Sequence, residues 1–487
     1  MTIVIGVDIG TTVTKAVAFG PTGGPLARAA RPSRLDRVAD GWYEQDPDQV
    51  VGSVLEVLAE VAGQAGGPVA AVGLTGQGDG MWLVDRDGRP VRPAISWLDA
   101  RATDILAGWS ADGVVTTIYR RNGNALFPGS PAPLLAWLDR HEPAALAEAA
   151  TAGYCKDVVM QRLTGVRATD VSDASAPFLD PARRDYAGDL IAACGLAHRR
   201  ELLAPVAEAP VGELTASAAA ATGLPAGTPV VASPYDLPAA ALGAGVTATG
   251  AGLLIVGTTL ACQVMVDRVA GTGEPCGLTL ATGRTDRWLR ALPAMVGTAA
   301  VDWVLRLVGA TTADLPELLA RGRSDGLTVL PFLSEAGERA PFVAPQARAR
   351  VDGLHLGVGP ADLVRATCEA VAYSARHCLT AAGLAGPLAA GGGGVSSAEW
   401  AQIFADVLDR PIRTLAGAEI GARGAALAAR RALGIDGAEP PEPWHLAGRT
   451  YYPDPATRDR YDAGYARYLE SIDHARPMWN KKEDGES

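Results

Sequence analysis

Residues 3–19 read IVIGVDIGTTVTKAVAF, and residues 251–266 read AGLLIVGTTLACQVMV. Each stretch has an apolar run rich in β-branched residues, a Gly-Thr-Thr turn and a second alternating run, which predicts two strands joined in a hairpin. The second copy begins about 250 residues after the first. The repeat therefore predicts two domains that each open with the same hairpin.

The length of the chain predicts the same division. A single hydrophobic core stops growing at about 250–300 residues, and the chain has 487 residues. We place an N-terminal domain at 1–245, a C-terminal domain at 246–440 and a helical tail at 441–487. The tail follows the Pro-rich segment Glu439–Pro443, and Asn480–Ser487 is expected to fray.

The composition excludes several classes of protein. Hydrophobic residues make up 48% and charged residues 20%, as in folded globular proteins. The net charge of -11 disfavours a nucleic-acid partner, because phosphate backbones are bound through clustered Lys and Arg. No stretch reaches the ~18 apolar residues of a membrane span and no basic leader is present, so we expect a cytoplasmic protein without a membrane partner. The six cysteines contain no Cys-x-x-Cys and are expected to be buried, reduced thiols.

Hydrophobic spacing predicts the other elements that bear on function. Helices are predicted at Pro47–Val61, Leu237–Leu242, Ala398–Leu408, Gly421–Leu433 and Ala456–Ile472. Strands are predicted at Val69–Leu74, Met81–Val84, Pro229–Ala232 and Leu388–Ala390.

The two Gly-Thr-Thr turns have the chemistry of an anion site. Glycine lets the backbone approach an anion, successive N–H groups form a concavity, and threonine hydroxyls add donors. Asp8, just before Gly10-Thr11-Thr12, is suited to hold Mg²⁺ through water. One such turn alone is more often an ordinary hairpin end, but the second copy at Gly257-Thr258-Thr259 favours two turns that hold a polyphosphate between them.

The run Gly391–Gly394 lies between a predicted strand and a predicted helix. Without side chains it leaves room for a flat ligand, and the helix that follows offers free N–H groups, so an adenosine site is favoured over a flexible linker. Neither a G-x-x-x-x-G-K-[ST] loop nor a strand-linked G-x-G-x-x-G fingerprint is present, which disfavours P-loop and dinucleotide-binding proteins.

These residues resemble the FGGY carbohydrate kinases over about residues 3–435. The most specific match is Ala349–Leu354 followed by Asp362–Glu369, which agrees with the C-terminal signature of the family except that Cys368 replaces a larger apolar residue. One departure is Leu134, where the N-terminal signature has a lysine three residues before a tryptophan. Other similar segments are Gly6–Lys15, Gly73–Asp85, Ala94–Arg101, Lys156–Gly165, Gly257–Thr259, Gly337–Pro341 and Gly391–Ile412.

The resemblance implies an α/β fold of two ribonuclease-H-like domains of the actin, Hsp70 and hexokinase superfamily, with ATP and Mg²⁺ in a central cleft. It also implies a general base at Asp236, although Ser233-Pro234-Tyr235 replaces the glycines that usually precede it. A carboxylate in reach of a hydroxyl can orient it and accept its proton during phosphoryl transfer. From the residues alone, a cap on the helix that follows is the preferred role of Asp236, and the resemblance favours catalysis instead.

The resemblance further assigns residues to three roles. Expected substrate ligands are Gln77, Gly78, Asp79, Trp97, Asp99 and Arg101, whose amide, carboxylate and indole groups suit a polyol. Expected nucleotide ligands are Gly10, Thr11, Thr12, Lys15, Gly257, Thr258, Thr259, Gly393, Gly394 and Ser397, with Asp8 at the metal. The alternative for Trp97 is core packing, and for Asp99 and Arg101 it is a surface ion pair.

The expected activity is phosphorylation of a small uncharged sugar or polyol, a ketopentose such as xylulose or a tetritol such as erythritol. Other family substrates, glycerol and gluconate, are alternatives, and a homodimer is a candidate state of assembly. An acceptor-independent ATPase of the Hsp70 or actin type would not need Gly76–Gly80 or Trp97–Arg101. A sugar-responsive transcription regulator is disfavoured because no separate helix-turn-helix region or basic run is present.

Overall fold

The computed structural model describes residues 2–269, 271–415, 419–435, 444 and 448–479. The chain forms two compact units. The first contains Met1–Gly245, Asp267–Leu289 and Ala418–Leu446, and the second contains Val246–Val266, Arg290–Gly417 and Ala447–Ser487. The domains proposed from the sequence are continuous stretches of chain, whereas two later segments pack with the first unit.

Strands and helices alternate through the described residues. The strands β1 to β24 are Ile3–Ile9, Val13–Phe19, Pro25–Pro32, Asp36–Ala39, Trp42–Gln45, Val69–Gly76, Trp82–Val84, Ala94–Ile95, Thr151–Gly153, Thr169–Asp170, Leu179–Asp180, Asp185–Tyr186, Val206–Ala207, Val211–Glu213, Pro229–Ala232, Gly252–Val256, Leu260–Val266, Leu278–Ala281, Trp288–Ala294, Thr328–Leu330, Arg350–Asp352, Leu388–Gly391, Ile412–Thr414 and Thr450–Tyr451. The helices α1 to α16 are Pro47–Gln64, Thr103–Ala111, Val114–Asn122, Pro131–His141, Pro143–Glu148, Cys155–Thr164, Val171–Ala174, Gly188–Ala193, Ala216–Thr222, Asp236–Gly243, Thr298–Leu307, Leu315–Arg321, Pro360–Ala381, Ala398–Leu408, Ile420–Ala432 and Arg458–Trp479.

The first unit is built on a sheet with the strand order β14-β15-β6-β1-β2-β3. Strands β1 and β2 are the predicted antiparallel hairpin, and β1 also pairs in parallel with β6, which pairs in parallel with β15. The carboxyl ends of β1, β6 and β15 therefore lie side by side, as parallel strands require. Asp8, the segment after β6 and the segment before α10 all lie at these carboxyl ends.

Helices cover both faces of this sheet. On one face Ile3, Ile5, Val7 and Ile9 of β1 pack with buried valines and leucines of α1. On the other face, α15 contacts β1 and β6. A Cβ on Gly6 would lie 1.8 Å from the carbonyl oxygen of Ala422, so glycine allows the backbone of α15 to lie directly on β1.

The sheet of the second unit repeats this pattern of pairing. Strands β16 and β17 form the second predicted hairpin, and β16 pairs in parallel with β22, which pairs in parallel with β23. Helix α16 adds an apolar cluster in which Tyr468, Ile472 and Trp479 pack with Phe332 and Phe342. The predicted repeat of the hairpin is therefore confirmed, and the structure adds that each hairpin pairs with parallel strands.

Most of the predicted helices are confirmed with small changes of boundary. The helix Ala398–Leu408 has the predicted ends, and the helix predicted at Ala456–Ile472 continues to Trp479. The predicted Pro-rich separator Glu439–Pro443 and the frayed end at Asn480–Ser487 lie outside the described residues. In the part of the chain that the structure describes, no helix has the length and hydropathy of a membrane span. All six cysteines are buried and none forms a disulfide, as predicted.

Candidate active site

The turn between β1 and β2 is joined to two of the predicted substrate ligands. The Gly10 N–H donates to the Val13 carbonyl oxygen at 3.1 Å and closes the turn. The Thr11 hydroxyl donates to Gln77 Oε1 at 2.9 Å and accepts a hydrogen bond from Trp97 Nε1 at 2.9 Å. The structure therefore brings Thr11, Gln77 and Trp97 together, with the Trp97 indole partly exposed rather than fully buried in a core.

The segment after β6 contains a backbone outlier. Asp79 has φ of 52°, a left-handed conformation that costs about 1–2 kcal/mol for a residue with a side chain. Its side chain is buried, and Oδ2 accepts a hydrogen bond from the Tyr235 hydroxyl at 2.9 Å. Nearby, Gln77 Nε2 donates to Gln45 Oε1 at 2.8 Å. Strain of this kind persists where the surroundings fix a residue for a task, which is consistent with Asp79 as a ligand.

Asp236 is the first residue of α10, and Tyr235 occupies the N-cap position without a side-chain capping hydrogen bond. The capping role considered for Asp236 is therefore not the one that the structure has. Its Oδ1 is enclosed and has no hydrogen-bond partner among the described residues. Burial and the neighbouring Asp8 carboxylate raise the pKa of Asp236 well above its usual value, against a smaller lowering by the Leu237 N–H. This oxygen is available to accept a proton from a ligand hydroxyl.

The predicted metal ligand Asp8 lies near the end of β1. Burial raises its pKa to about 6, while the Lys15 ammonium lowers it and the Glu419 carboxylate raises it. Lys15 Nζ lies 2.9 Å from Glu419 Oε2, and the Thr12 side chain is exposed. In the described ranges no three His, Cys, Asp or Glu side chains form a metal-binding group. A single carboxylate suits Mg²⁺ that keeps its waters and takes its other ligands from phosphate.

Asp99 and Arg101 form a buried ion pair. Arg101 Nε lies 2.9 Å from Asp99 Oδ1 and Nη2 lies 2.9 Å from Glu44 Oε1, with both side chains of the pair at most 1% exposed. The guanidinium also lies 4.3 Å from the ring centroid of Trp42 and 5.1 Å from that of Trp137. The alternative prediction that Asp99 and Arg101 form an ion pair on the surface is therefore wrong, because the pair is buried. Because these contacts enclose both charged groups, the acceptor site proposed below does not include them.

A buried charge cluster that we did not assign from the sequence supports this site. Lys156 Nζ lies 2.5 Å from Asp170 Oδ1 and also contacts the Asp173 carboxylate. Burial alone would lower the pKa of Lys156, but these carboxylates raise it above its usual value. The Ser172 hydroxyl donates to Asp170 Oδ2 at 2.6 Å and accepts the Tyr235 N–H at 2.8 Å. The sequence carried little signal for this cluster, because half of the residues of α6 are polar and only the structure shows that Lys156 is buried, where it requires paired charge.

The second Gly-Thr-Thr turn, in the second unit, is held by the start of α11. The Gly257 N–H donates to the Thr259 carbonyl oxygen at 3.1 Å, as in a closed hairpin turn. The Thr298 N–H donates to Gly257 O at 2.7 Å and the Gly297 N–H donates to Thr258 O at 2.8 Å. The side chains of Thr258 and Thr259 are exposed, so their hydroxyls are accessible to a ligand.

The glycine run after β22 contains both open and filled positions. A Cβ on Gly393 would have no neighbour within 4 Å, whereas a Cβ on Gly394 would lie 2.3 Å from Val256 Cγ1. The Ser397 hydroxyl caps α14 by accepting the Trp400 N–H at 3.3 Å. Gly393 therefore has space for a ligand, while Gly394 allows close packing and Ser397 already has a structural partner.

Comparisons with known proteins agree with this arrangement. Residues 3–243 match the family model "FGGY family of carbohydrate kinases, N-terminal domain", and residues 277–433 match the C-terminal domain of the same family. The chain is 34% identical to an erythritol kinase of Brucella abortus, over 99% of this chain and 98% of the relative. It is 30% identical to a xylulose kinase of Escherichia coli, over 86% of this chain and 87% of the relative.

Solved structures match over nearly the full length. The structure of a xylulose kinase from Rhodospirillum rubrum has 30% sequence identity and a TM-score of 0.88, covering 98% of this chain and 100% of that one. A ligand-bound xylulose kinase from Lactobacillus acidophilus has 22% identity and a TM-score of 0.91, and covers 98% of this chain and 99% of its own. The predicted fold class, two α/β domains of the actin, Hsp70 and hexokinase type, is confirmed.

Proposed function

Because this chain belongs to the FGGY family of carbohydrate kinases, we propose that it phosphorylates an uncharged four- or five-carbon polyol or ketose, with Asp236 as the general base. It is an ATP-dependent sugar or polyol kinase, as the family shows. The observation that supports Asp236 most is its enclosed Oδ1, which has no hydrogen-bond partner among the described residues. A buried acceptor oxygen of this kind is costly unless a ligand hydroxyl satisfies it.

The proposed reaction needs one proton acceptor. As the acceptor hydroxyl oxygen attacks the γ-phosphorus, its proton moves to Asp236 Oδ1, and the bond from the γ-phosphorus to the β–γ bridging oxygen breaks to release ADP. Mg²⁺ that accompanies ATP would reduce the charge on the phosphate oxygens, and Asp8 would hold it through water. The raised pKa of Asp236 favours proton uptake in this step.

The charges at the site favour an uncharged acceptor. Asp79 is buried and Asp236 is enclosed, and a carboxylate accepts hydrogen bonds from hydroxyl groups but repels another carboxylate. Arg101, the cation that could neutralise a sugar acid, is occupied by Asp99 and Glu44. Gluconate-like acids are therefore disfavoured as acceptors. Gln77 and Trp97, which meet at the Thr11 hydroxyl, complete the proposed acceptor site.

Nucleotide ligands are proposed at the first turn in the first unit and, separately, at the second turn and the glycine run in the second unit. The exposed hydroxyls of Thr12, Thr258 and Thr259 and the open position at Gly393 support this assignment. Lys15 belongs to the same proposed group, and its ammonium is also paired with Glu419. Gly10, Thr11, Gly257, Gly394 and Ser397 would then shape the site mainly through backbone and packing.

The relatives narrow the acceptor further. The erythritol kinase of Brucella abortus matches almost the whole chain, and the xylulose kinase of Escherichia coli matches most of it. A tetritol such as erythritol is therefore our first candidate and a ketopentose such as xylulose our second. We also propose a cytoplasmic location, where ATP is available and cysteines without disulfides stay reduced.

The test is an acceptor panel measured by release of ADP. Erythritol, threitol, ribitol, xylitol, xylulose, glycerol and gluconate are compared with a reaction that lacks acceptor. We expect the highest kcat/KM with an uncharged four- or five-carbon acceptor and little hydrolysis without one. Preference for gluconate or glycerol would contradict the proposed substrate, and equal rates with and without acceptor would favour an acceptor-independent ATPase.

A further inference from the structure

Tyr235, the residue before the proposed base Asp236, packs unusually closely against Gly78. Its ring is buried against Gly78, and a Cβ on Gly78 would lie 2.1 Å from Tyr235 Cε2 and 2.3 Å from Cζ. These distances are far below any real contact, so a side chain at position 78 and the aromatic ring at position 235 exclude each other. The ring therefore fills space that lies directly beside a residue predicted to bind substrate.

The hydroxyl of Tyr235 contacts Asp79, the residue that follows Gly78. Tyr235 Oη donates to Asp79 Oδ2 at 2.9 Å, and both side chains are buried. Burial and the charges of Asp79 and Asp236 raise the pKa of Tyr235 well above its usual value, so the phenol stays protonated and remains a donor. A hydrogen bond to an ionised acceptor is stronger than a neutral one and fixes the direction of the carboxylate.

The backbone that carries the ring is held at three consecutive residues. The Ser233 hydroxyl donates to the Ala425 carbonyl oxygen at 3.0 Å, and the Thr75 hydroxyl donates to the Pro234 carbonyl oxygen at 2.6 Å. The Tyr235 N–H donates to Ser172 Oγ at 2.8 Å. This segment replaces flexible glycines with residues that each have a defined partner, so the position of the ring is fixed by the fold.

We infer that Tyr235 is a specificity-determining residue, whose ring limits the length of the acceptor and whose hydroxyl orients Asp79 for a short polyol. The inference rests on the proposed acceptor site and gives it a preferred substrate class, four-carbon polyols. A ring packed against Gly78, in the residue before the proposed base, would occupy volume that additional hydroxymethyl groups of a longer chain need. A difference of one methylene in a pocket changes kcat/KM by about 10–200-fold, so a ring is large enough to set the preference.

The experiment compares Tyr235→Ala and Tyr235→Phe with the unmodified enzyme. The kcat/KM is measured for erythritol, ribitol and sorbitol, which have four, five and six carbons. For Tyr235→Ala we expect the ratio of ribitol to erythritol to rise at least about tenfold, since the space of the ring becomes available. For Tyr235→Phe we expect the ratio to stay within about threefold while the KM for every acceptor rises about tenfold, because Asp79 loses a charged hydrogen bond.

Controls separate this effect from damage to the fold. Tyr154→Phe removes another buried tyrosine hydroxyl of the first unit, one that donates to the Ala176 carbonyl oxygen at 3.0 Å, and should leave the acceptor ratio unchanged. The KM for ATP is measured for every variant and should stay constant. If Tyr235→Ala does not melt cooperatively, the ratio is taken from Tyr235→Leu, which leaves a smaller cavity.

The outcomes distinguish a failure of the proposed function from a failure of the proposed role of Tyr235. If the unmodified enzyme phosphorylates neither these polyols nor xylulose, the proposed function is wrong. If it phosphorylates ribitol or xylulose but not erythritol, the proposed function stands and the preference for four-carbon polyols is overturned. If it phosphorylates erythritol and the ratio is the same in Tyr235→Ala or Tyr235→Leu, the proposed function stands and the role of Tyr235 is overturned. A shift in Tyr235→Phe as large as that in Tyr235→Ala would also overturn the role of the ring.

Discussion

The two Gly-Thr-Thr turns have the same sequence and each joins the strands of a hairpin, but their threonines have different partners. In the first turn Thr11 Oγ1 is hydrogen bonded to Gln77 and to Trp97, both at 2.9 Å. In the second turn the side chains of both Thr258 and Thr259 are exposed, whereas in the first turn only that of Thr12 is. The backbones also differ by one residue, since the Gly10 N–H donates to the Val13 carbonyl oxygen and the Gly257 N–H to the Thr259 carbonyl oxygen, both at 3.1 Å.

The difference indicates that the repeated motif has been adapted to two tasks. A threonine whose hydroxyl is shared by an amide and an indole serves to position those groups, which we propose to bind the acceptor. A threonine whose hydroxyl is exposed remains available to a ligand, which we propose to be the phosphate of ATP. Local sequence predicts that a turn forms, and residues far away in the chain determine which groups its threonines contact.

The largest expected effect comes from a change at the proposed general base, Asp236. In Asp236→Asn the amide keeps the shape but cannot accept the proton, so kcat should fall by about 10²–10⁴-fold. The KM for ATP should stay within about threefold of the unmodified value, because the nucleotide ligands are unchanged. Steady-state ADP release measures both constants. Asp189→Asn, whose carboxylate is 67% exposed in the same unit, is the matched control and should change neither; near-normal turnover in Asp236→Asn would contradict the assignment.

Sequence reasoning predicted the features that depend on neighbouring residues. Both hairpins and the helix Ala398–Leu408 follow from alternation and from helical spacing, and the structure has them. The environment of Asp99 and Arg101 was not predictable, because it depends on Glu44, a partner 57 residues from Arg101.

The same limit applies to other long-range features of the first unit. The pairing of Lys156 with Asp170 and the packing of α15 on β1 and β6 depend on contacts between distant parts of the chain. Hydrophobic period and turn residues report on local structure only. The resemblance to a family located Asp236 but gave no reason for the tyrosine that precedes it.

The second prediction tests the nucleotide task at the second turn. A Cβ on Gly257 would meet no atom closer than Thr259 O at 3.6 Å, so Gly257→Val should fold normally. The added side chain would instead meet the proposed phosphate, and a steric conflict of about 1–3 kcal/mol should raise the KM for ATP by about 5–150-fold. The KM for the acceptor should not change. A higher acceptor KM with unaltered ATP saturation would reverse the two tasks.

The third prediction is the pH dependence of the acceptor step. The protonated carboxyl of Asp236 cannot accept a proton, so activity is lost as pH falls through its pKa. Because that pKa is raised well above the usual value for aspartate, kcat at saturating substrates should lose about tenfold per pH unit already in the mildly acidic range. Measuring kcat from acidic to neutral pH shows where this loss of activity begins. The loss should be absent from the residual activity of Asp236→Asn. A loss that begins only near the ordinary aspartate pKa would contradict the assignment.

The smallest expected effects come from matched substitutions in the two turns, Thr11→Val and Thr258→Val. Thr11→Val removes the hydroxyl shared by Gln77 and Trp97, and each lost hydrogen bond is worth about 0.5–1.5 kcal/mol. The KM for the acceptor should rise by about 2–10-fold for each bond, and the free energy of unfolding should fall. Thr258→Val removes an exposed hydroxyl, so the free energy of unfolding should change by less than about 0.5 kcal/mol and only the KM for ATP should rise, by a few-fold. Chemical denaturation gives the free energy of unfolding of each variant, and steady-state kinetics give the KM for the acceptor and the KM for ATP. If Thr258→Val raised the acceptor KM as much as Thr11→Val does, the two turns would share one task and the distinction between them would be wrong.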